Sequence, residues 1–154
     1  MSGVRVTTVV RAGVDEAFRV FTEDIDLWWK QGPRFRVHAE RPSTMRLEPH
    51  EGGRFLEVYA DDAFELGKVR VWKPPERVVF EMRGRDFKPD ELTEVDVRFE
   101  LVDAGTRVTV HHTGWDALPP YHPARHGHDN QAFTNMMGLW WSDTLTALRI
   151  HTAP

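Results

Sequence analysis

The chain has no cysteine, so disulfide staples, thiolate nucleophiles and sulfur-rich metal sites are all excluded. No apolar run approaches the ~18 residues that a helical membrane span requires. The N-terminal "MSGVRVTTVVRAG" lacks the long apolar stretch and small-residue cleavage site of a signal peptide. A cytoplasmic protein with no membrane partner is the expectation. Blocks of one charge are missing as well: "KVRVWKPPERVV" intersperses its bases with apolar residues, and the formal net charge is −4. Nucleic acid is therefore not expected as a partner. There is no G-x-S-x-G nucleophile elbow and no dinucleotide-binding glycine pattern, and "LGKV" around Lys68 lacks the rest of a phosphate loop.

Against these absences stand 40% hydrophobic and 29% charged residues, the balance of a folded globular chain. At 154 residues the chain is long enough to bury a core unaided. It shows no repeat, low-complexity segment or composition break, so one domain over residues 1–154 is expected.

Val4 to Val10 is rich in β-branched residues and reads as a strand. In "VDEAFRVF", Val14, Ala17, Phe18 and Phe21 share one face of a short helix. A second short helix opens on the acidic stretch Thr22 to Asp26 and carries Leu27 to Trp29. After Gly32-Pro33 come short β segments: Phe35 to Ala39, Thr44 to Leu47, Arg54 to Ala60, Leu66 to Trp72 and Arg77 to Met82. The clearest hairpin follows. Val95, Val97, Phe99 and Leu101 alternate with charged residues, and a turn at Asp103 to Thr106 pairs Val102 with Arg107. That register sets Val97 opposite His112 and places His112 on the apolar face, with His111 outside. A slip of one residue would exchange them. From Asn130 onward the period becomes helical, with Phe133, Met136, Met137, Trp140, Trp141, Thr144, Leu145 and Leu148 in one stripe. The order implies an α+β fold: a strand, two short helices, about seven strands, then a long helix across the concave face of a curved antiparallel sheet.

Four strings in this order resemble the SRPBCC (START-like, helix-grip) superfamily, and within it the family named for the activator of the heat-shock-protein-90 ATPase. They are "VDEAFRVFTEDIDLWW", "EGGRFLEVYADDAFELGKVRVWKPPERVVFEM", "VTVHHTGWDAL" and "GLWWSDTLTALRIH". The resemblance spans nearly the whole chain and implies the helix-grip fold. It implies no single function, because that fold hosts lipid carriers, polyketide cyclases, hormone receptors and co-chaperone domains. Residues 118–129 form a Pro- and His-rich loop outside the family pattern.

Candidate binding residues follow from the elements that would wall a gap between helix and sheet. Trp28 and Trp29 would close one end, and Trp140 and Trp141 would descend from the long helix. Phe99, Trp115, Phe133 and Met137 would add apolar surface. Adjacent helical residues diverge by roughly 100°, so one of Trp140 and Trp141 should be fully inward. Plain core packing is the competing reading for all of them. His112 is either a core histidine paired to a neighbouring polar group or a polar anchor and general base in the cavity. Glu57 shares a face with Phe55 and Tyr59: if that face is inward, the carboxylate must be paired or protonated, and otherwise it is solvated. His122 and His126 have i, i+4 spacing, but Pro119, Pro120, Pro123 and Gly127 oppose a helix there. A solvated loop holding His122, His126 and His128 is the expectation over a metal site or a pocket lid.

The leading expectation is a domain that binds a hydrophobic or aromatic small molecule, as a monomer or homodimer, with no cofactor and no metal. A chaperone-associated module, implied by the family resemblance, is the second. A cyclase- or aromatase-like enzyme using His112 as acid/base is the third.

Overall fold

Strict alternation makes Thr93–Val102 the centre of the architecture. Thr93, Val95, Val97 and Phe99 point inward and are buried, while Asp96, Arg98 and Glu100 face out. A computed structural model describes residues 3–38, 40–84, 86–119 and 121–152. In it this segment is β6 of a seven-stranded antiparallel sheet of order β1-β7-β6-β5-β4-β3-β2. The strands are β1 (Gly3–Val10), β2 (Thr44–Leu47), β3 (Arg54–Val58), β4 (Ala63–Lys73), β5 (Arg77–Met82), β6 (Thr93–Val102) and β7 (Gly105–Thr113). Helices α1 (Val14–Thr22) and α2 (Ile25–Trp28) follow β1, and α3 (Asn130–Thr152) is the last element among the described residues. Irregular register between Phe55 and Leu56 and between Val69 and Val71 marks the bends that curl the sheet.

The helices fill the concave face. Phe18 and Phe21 of α1 meet Phe99 edge-on at 5.1 and 5.6 Å. Helix α3 lies along β1 and α2, and its stripe buries Phe133, Trp140, Trp141, Thr144, Leu145 and Leu148. The Asp129 carboxylate accepts the Ala132 N–H at 2.8 Å, satisfying one of the free donors of the helix start. This is the α+β helix-grip arrangement expected from the element order.

Two details differ from the sequence reading. Residues 35–38 are turn and loop instead of strand; the last residue of that expected strand, Ala39, lies outside the described residues. The Phe35 and Arg36 N–H groups bond back to Gly32 O, and Val37 and His38 donate to the Glu57 carboxylate, so no neighbouring strand is served. Among the described residues six strands therefore follow the short helices. The hairpin register also differs, by two residues: Val102 pairs with Gly105 and Val95 with His112. A shift of two preserves the face, so His112 is inward and His111 outward as expected.

Gly105 fixes that tighter turn. Its φ is +142°, and a Cβ there would stand 2.0 Å from the Val10 carbonyl oxygen. Gly105→Ala should lower stability by about 1–3 kcal/mol, seen as an earlier midpoint in a urea titration. An unchanged midpoint would refute this reading of the turn.

Candidate functional site

The concave face is not filled at one end. A cavity of about 490 Å³ opens between the first half of α3, the end of β5, loop 33–37 and the segment after β7. Phe133, Met136, Met137 and Trp140 wall it from the helix, and Leu66, Met82 and His112 from the sheet. Phe35 and Phe87 close it from two loops.

Of the residues proposed from sequence, His112, Trp115, Phe133, Met137 and Trp140 line this space. Trp28, Trp29, Glu57, Tyr59, Phe99 and Trp141 do not. Phe99 is covered by α1, and Trp28 packs on Phe21 at 4.9 Å while donating to Val20 O. The others stand behind the cavity wall and hold it. Trp29 Nε1 donates to Phe35 O at 2.8 Å, and the inward Glu57 carboxylate accepts the Val37 and His38 N–H groups at 2.8 and 3.3 Å. Tyr59 O–H donates to the same carboxylate. Burial, and then the Glu57 carboxylate, push the Tyr59 phenol above its usual range. The aromatic face of β3 is thus the inner one, and Glu57 is paired there.

Both neighbouring tryptophans of α3 are buried, where one was expected to be fully inward. Trp141, with no exposure, faces the sheet. Trp140 is covered by loop 33–37, stacking near Phe35 at 5.4 Å and donating to Arg34 O at 2.6 Å. Arg36 completes the fastening of this loop, a role the sequence did not signal. Its buried guanidinium donates to Trp29 O at 2.8 Å, Ser43 O at 3.1 Å and Asp26 Oδ1 at 3.0 Å.

His112 sits at the cavity floor with both ring nitrogens engaged. Trp141 Nε1 can only donate, so its 3.0 Å bond makes His112 Nδ1 the acceptor. The proton therefore rests on Nε2 and is donated to Thr93 Oγ1 at 2.7 Å. The Thr93 hydroxyl in turn donates to Met82 O at 2.5 Å. Burial, with a smaller contribution from His111, pushes the imidazole down to about 3. This is a neutral histidine locked in one tautomer, and it matches the core reading more closely than the general-base one.

The Pro- and His-rich loop departs from the solvated expectation. Gly114, at φ +111°, turns the chain off β7 and drops Trp115 beneath Phe133, with ring centres 5.2 Å apart. His122 is buried: its Nδ1 accepts the Ala124 N–H at 3.0 Å and its Nε2 faces Glu91 at 2.9 Å. Phe87 meets the His122 ring edge-on at 4.8 Å. Buried Arg125 donates to Leu118 O at 2.9 Å and to Trp115 O. Pro123, Ala124 and His126 consequently reach the cavity and form part of its rim. His126 is exposed and His128 half-buried. Among the described residues no cluster of three or more His, Asp or Glu could hold a metal.

Residues 11–144 match the family model described as "Activator of Hsp90 ATPase homolog 1-like protein". The chain belongs to this family. No curated protein matches it. Among solved structures it is similar to the Aha1 dimer from Colwellia psychrerythraea, with TM-score 0.67, 16% identity, and coverage of 99% of this chain and 96% of that one. An HSP90 activator from Plasmodium falciparum gives TM-score 0.64 and 15% identity over 97% and 95% of the two chains. DynU16, a protein of the dynemicin biosynthetic locus, gives 0.65 and 17% over 98% of this chain and 47% of that one. At these identities the likenesses show the fold. No described helix is long and apolar enough to cross a membrane.

The locked imidazole has a pH signature. An unfolded histidine takes up its proton near pH 6.5, whereas folded His112 resists it down to about 3. Its contribution is fully present above about 6.5 and is lost as pH falls through the window between those values, at a slope of up to ~1.4 kcal/mol per pH unit. Ring ¹⁵N NMR should show His112 as the neutral Nε2–H tautomer at pH 4.5. Titration of this ring near pH 6.5 would show the Trp141–His112–Thr93 chain to be wrong.

Proposed function

We propose that the protein binds a hydrophobic or aromatic small molecule in the cavity beside α3. The observation that carries this reading is the space itself: about 490 Å³ bounded by Phe133, Met136, Met137, Trp140 and Phe87. Small-molecule sites run from about 300 to 1,000 Å³ and are mostly apolar with a few placed polar groups. Burial of apolar ligand surface there contributes about 25 cal/mol per Å² before ordering costs. The wall is held in advance by Trp29, Trp140, Arg36 and Glu57, which lowers the ordering cost of binding.

Binding fits the site better than catalysis by His112. Both ring nitrogens are committed, and using either as acid or base would break the bond to Trp141 or Thr93. The family's name, and the HSP90-activator description of the Plasmodium neighbour, support docking on a chaperone as a second reading. That function would use outer surfaces, leaving the cavity free.

Calorimetric titration with 2-naphthol, a neutral bicyclic aromatic, tests the proposal. Saturable binding with a negative heat-capacity change is expected. Met136→Trp, which places a larger side chain on the cavity wall, should weaken it about tenfold or more while the far-UV circular dichroism is unchanged. No saturable heat with 2-naphthol or with its carboxylate counterpart 2-naphthoate, or equal affinity in the folded variant, would refute the proposal.

A further inference from the structure

We infer that the ligand carries an anionic group, a carboxylate or equivalent oxyanion, that is met by Arg83 in the cavity wall. This rests on the cavity-binding reading above and names the chemical class of molecule it would take.

The cations near the cavity differ in how they are occupied. Arg36 lines it but is bound to the Asp26 carboxylate and to backbone carbonyls. Arg34 lies at the rim, largely in solvent, facing Asp143 at 3.5 Å. Arg125 lacks an acceptor only at Nε, while its other nitrogens bond Trp115 O, Leu118 O and Asn130. It does not border the cavity.

Arg83 is different. It follows β5 directly, and its N–H donates to Leu66 O at 2.9 Å, which anchors its backbone against β4. Its Nη1 donates to Pro89 O at 3.0 Å. The nearest carboxylate, Glu81, stands 3.9 Å from Nη2, beyond hydrogen-bond reach. That carboxylate already takes Arg70 at 3.0 Å and the Lys68 N–H at 3.1 Å. Among the described residues Arg83 Nε is buried with no acceptor, and the side chain is only 22% exposed. A guanidinium cannot shed its proton to escape this situation. Its Nη2, with no hydrogen-bond acceptor among the described residues, is the donor that an arriving oxyanion would take through a charge-assisted hydrogen bond.

Leu66, Met82 and Phe87 share this wall with Arg83, and the polar Thr93 and His112 beside them are already bonded to each other, to Met82 O and to Trp141. One carboxylate does border the cavity among the described residues, Asp86, but it is exposed to solvent at the rim. The arrangement matches an amphipathic ligand: a ring or chain against Phe133, Met136 and Trp140, with its acid group turned toward Arg83.

A matched pair of probes decides the matter: 2-naphthoate and 2-naphthol, titrated by calorimetry into the wild type, Arg83→Gln and Arg83→Lys. The wild type should prefer naphthoate by about tenfold, and added salt should shrink that preference. Arg83→Gln should abolish it while leaving naphthol affinity within about twofold, and Arg83→Lys should retain part of it. Equal binding of both probes by the wild type would overturn the anionic-ligand inference and leave the cavity intact as a binding site. A loss of both probes alike in a folded Arg83→Gln protein would also overturn it, because Arg83 would then only shape the wall. Failure of both probes to bind the wild type would sink the cavity reading itself, and this inference with it.

Discussion

The structure depends on how residues 33–38 are kept in place. They cross the open end of the sheet without joining it, so their backbone polar groups have no strand to serve them. Buried side chains supply the partners instead. Glu57 accepts two of the N–H groups, while Trp29 and Trp140 donate to two of the carbonyls. Arg36 reaches back from within the loop to Trp29, Lys30, Ser43 and Asp26. A buried carboxylate and a buried guanidinium are costly unless fully engaged. Here each is engaged by several groups, so the loop is held as a wall that meets α3 at Trp140. The gap behind that wall is the cavity.

The same logic governs the opposite rim. The segment after β7 is rich in proline and histidine and builds little regular structure, yet it is fastened by buried polar groups. His122 links it to Glu91, and Arg125 gathers the carbonyls of Trp115 and Leu118. Two irregular loops therefore frame the pocket mouth, each tied down by its own buried basic side chain. Between them, His112 serves as a spacer of fixed tautomer joining β7 to α3 and β6.

Much of this was legible where local periodicity carries the information. The period of two in Thr93–Val102 and the helical stripe from Phe133 to Leu148 fixed the sheet face and the helix face. His112 came out inward even with the hairpin turn placed two residues off, because parity survives an even shift. Glu57 was left open because Phe55/Tyr59 and Leu56/Val58 offered two equally apolar faces, and the two are covered nearly alike: Phe55, Glu57, Tyr59 and Leu56 are buried and Val58 is half-buried. The tryptophans were legible as buried but not as donors to loop carbonyls, since hydrogen bonds such as Trp140 to Arg34 join residues 106 apart. Arg36, Arg83 and Phe87 carried no signal: Arg36 stood within an expected strand and the other two in or beside a polar, turn-rich stretch, and only tertiary packing turns them toward the cavity. Met136 was on the predicted stripe, and its half-buried position at the cavity follows from the same face as Met137.

The methionines offer the most direct view of the pocket. Met82, Met136 and Met137 border it, whereas Met45 is buried in β2, away from it. With ¹³C-methyl methionine labelling, an apolar aromatic ligand added to saturation should shift the Met82, Met136 and Met137 methyl signals by ring current and leave Met45 in place. Shifts confined to other methyls, or none at all on saturation, would contradict a ligand site between α3 and the sheet.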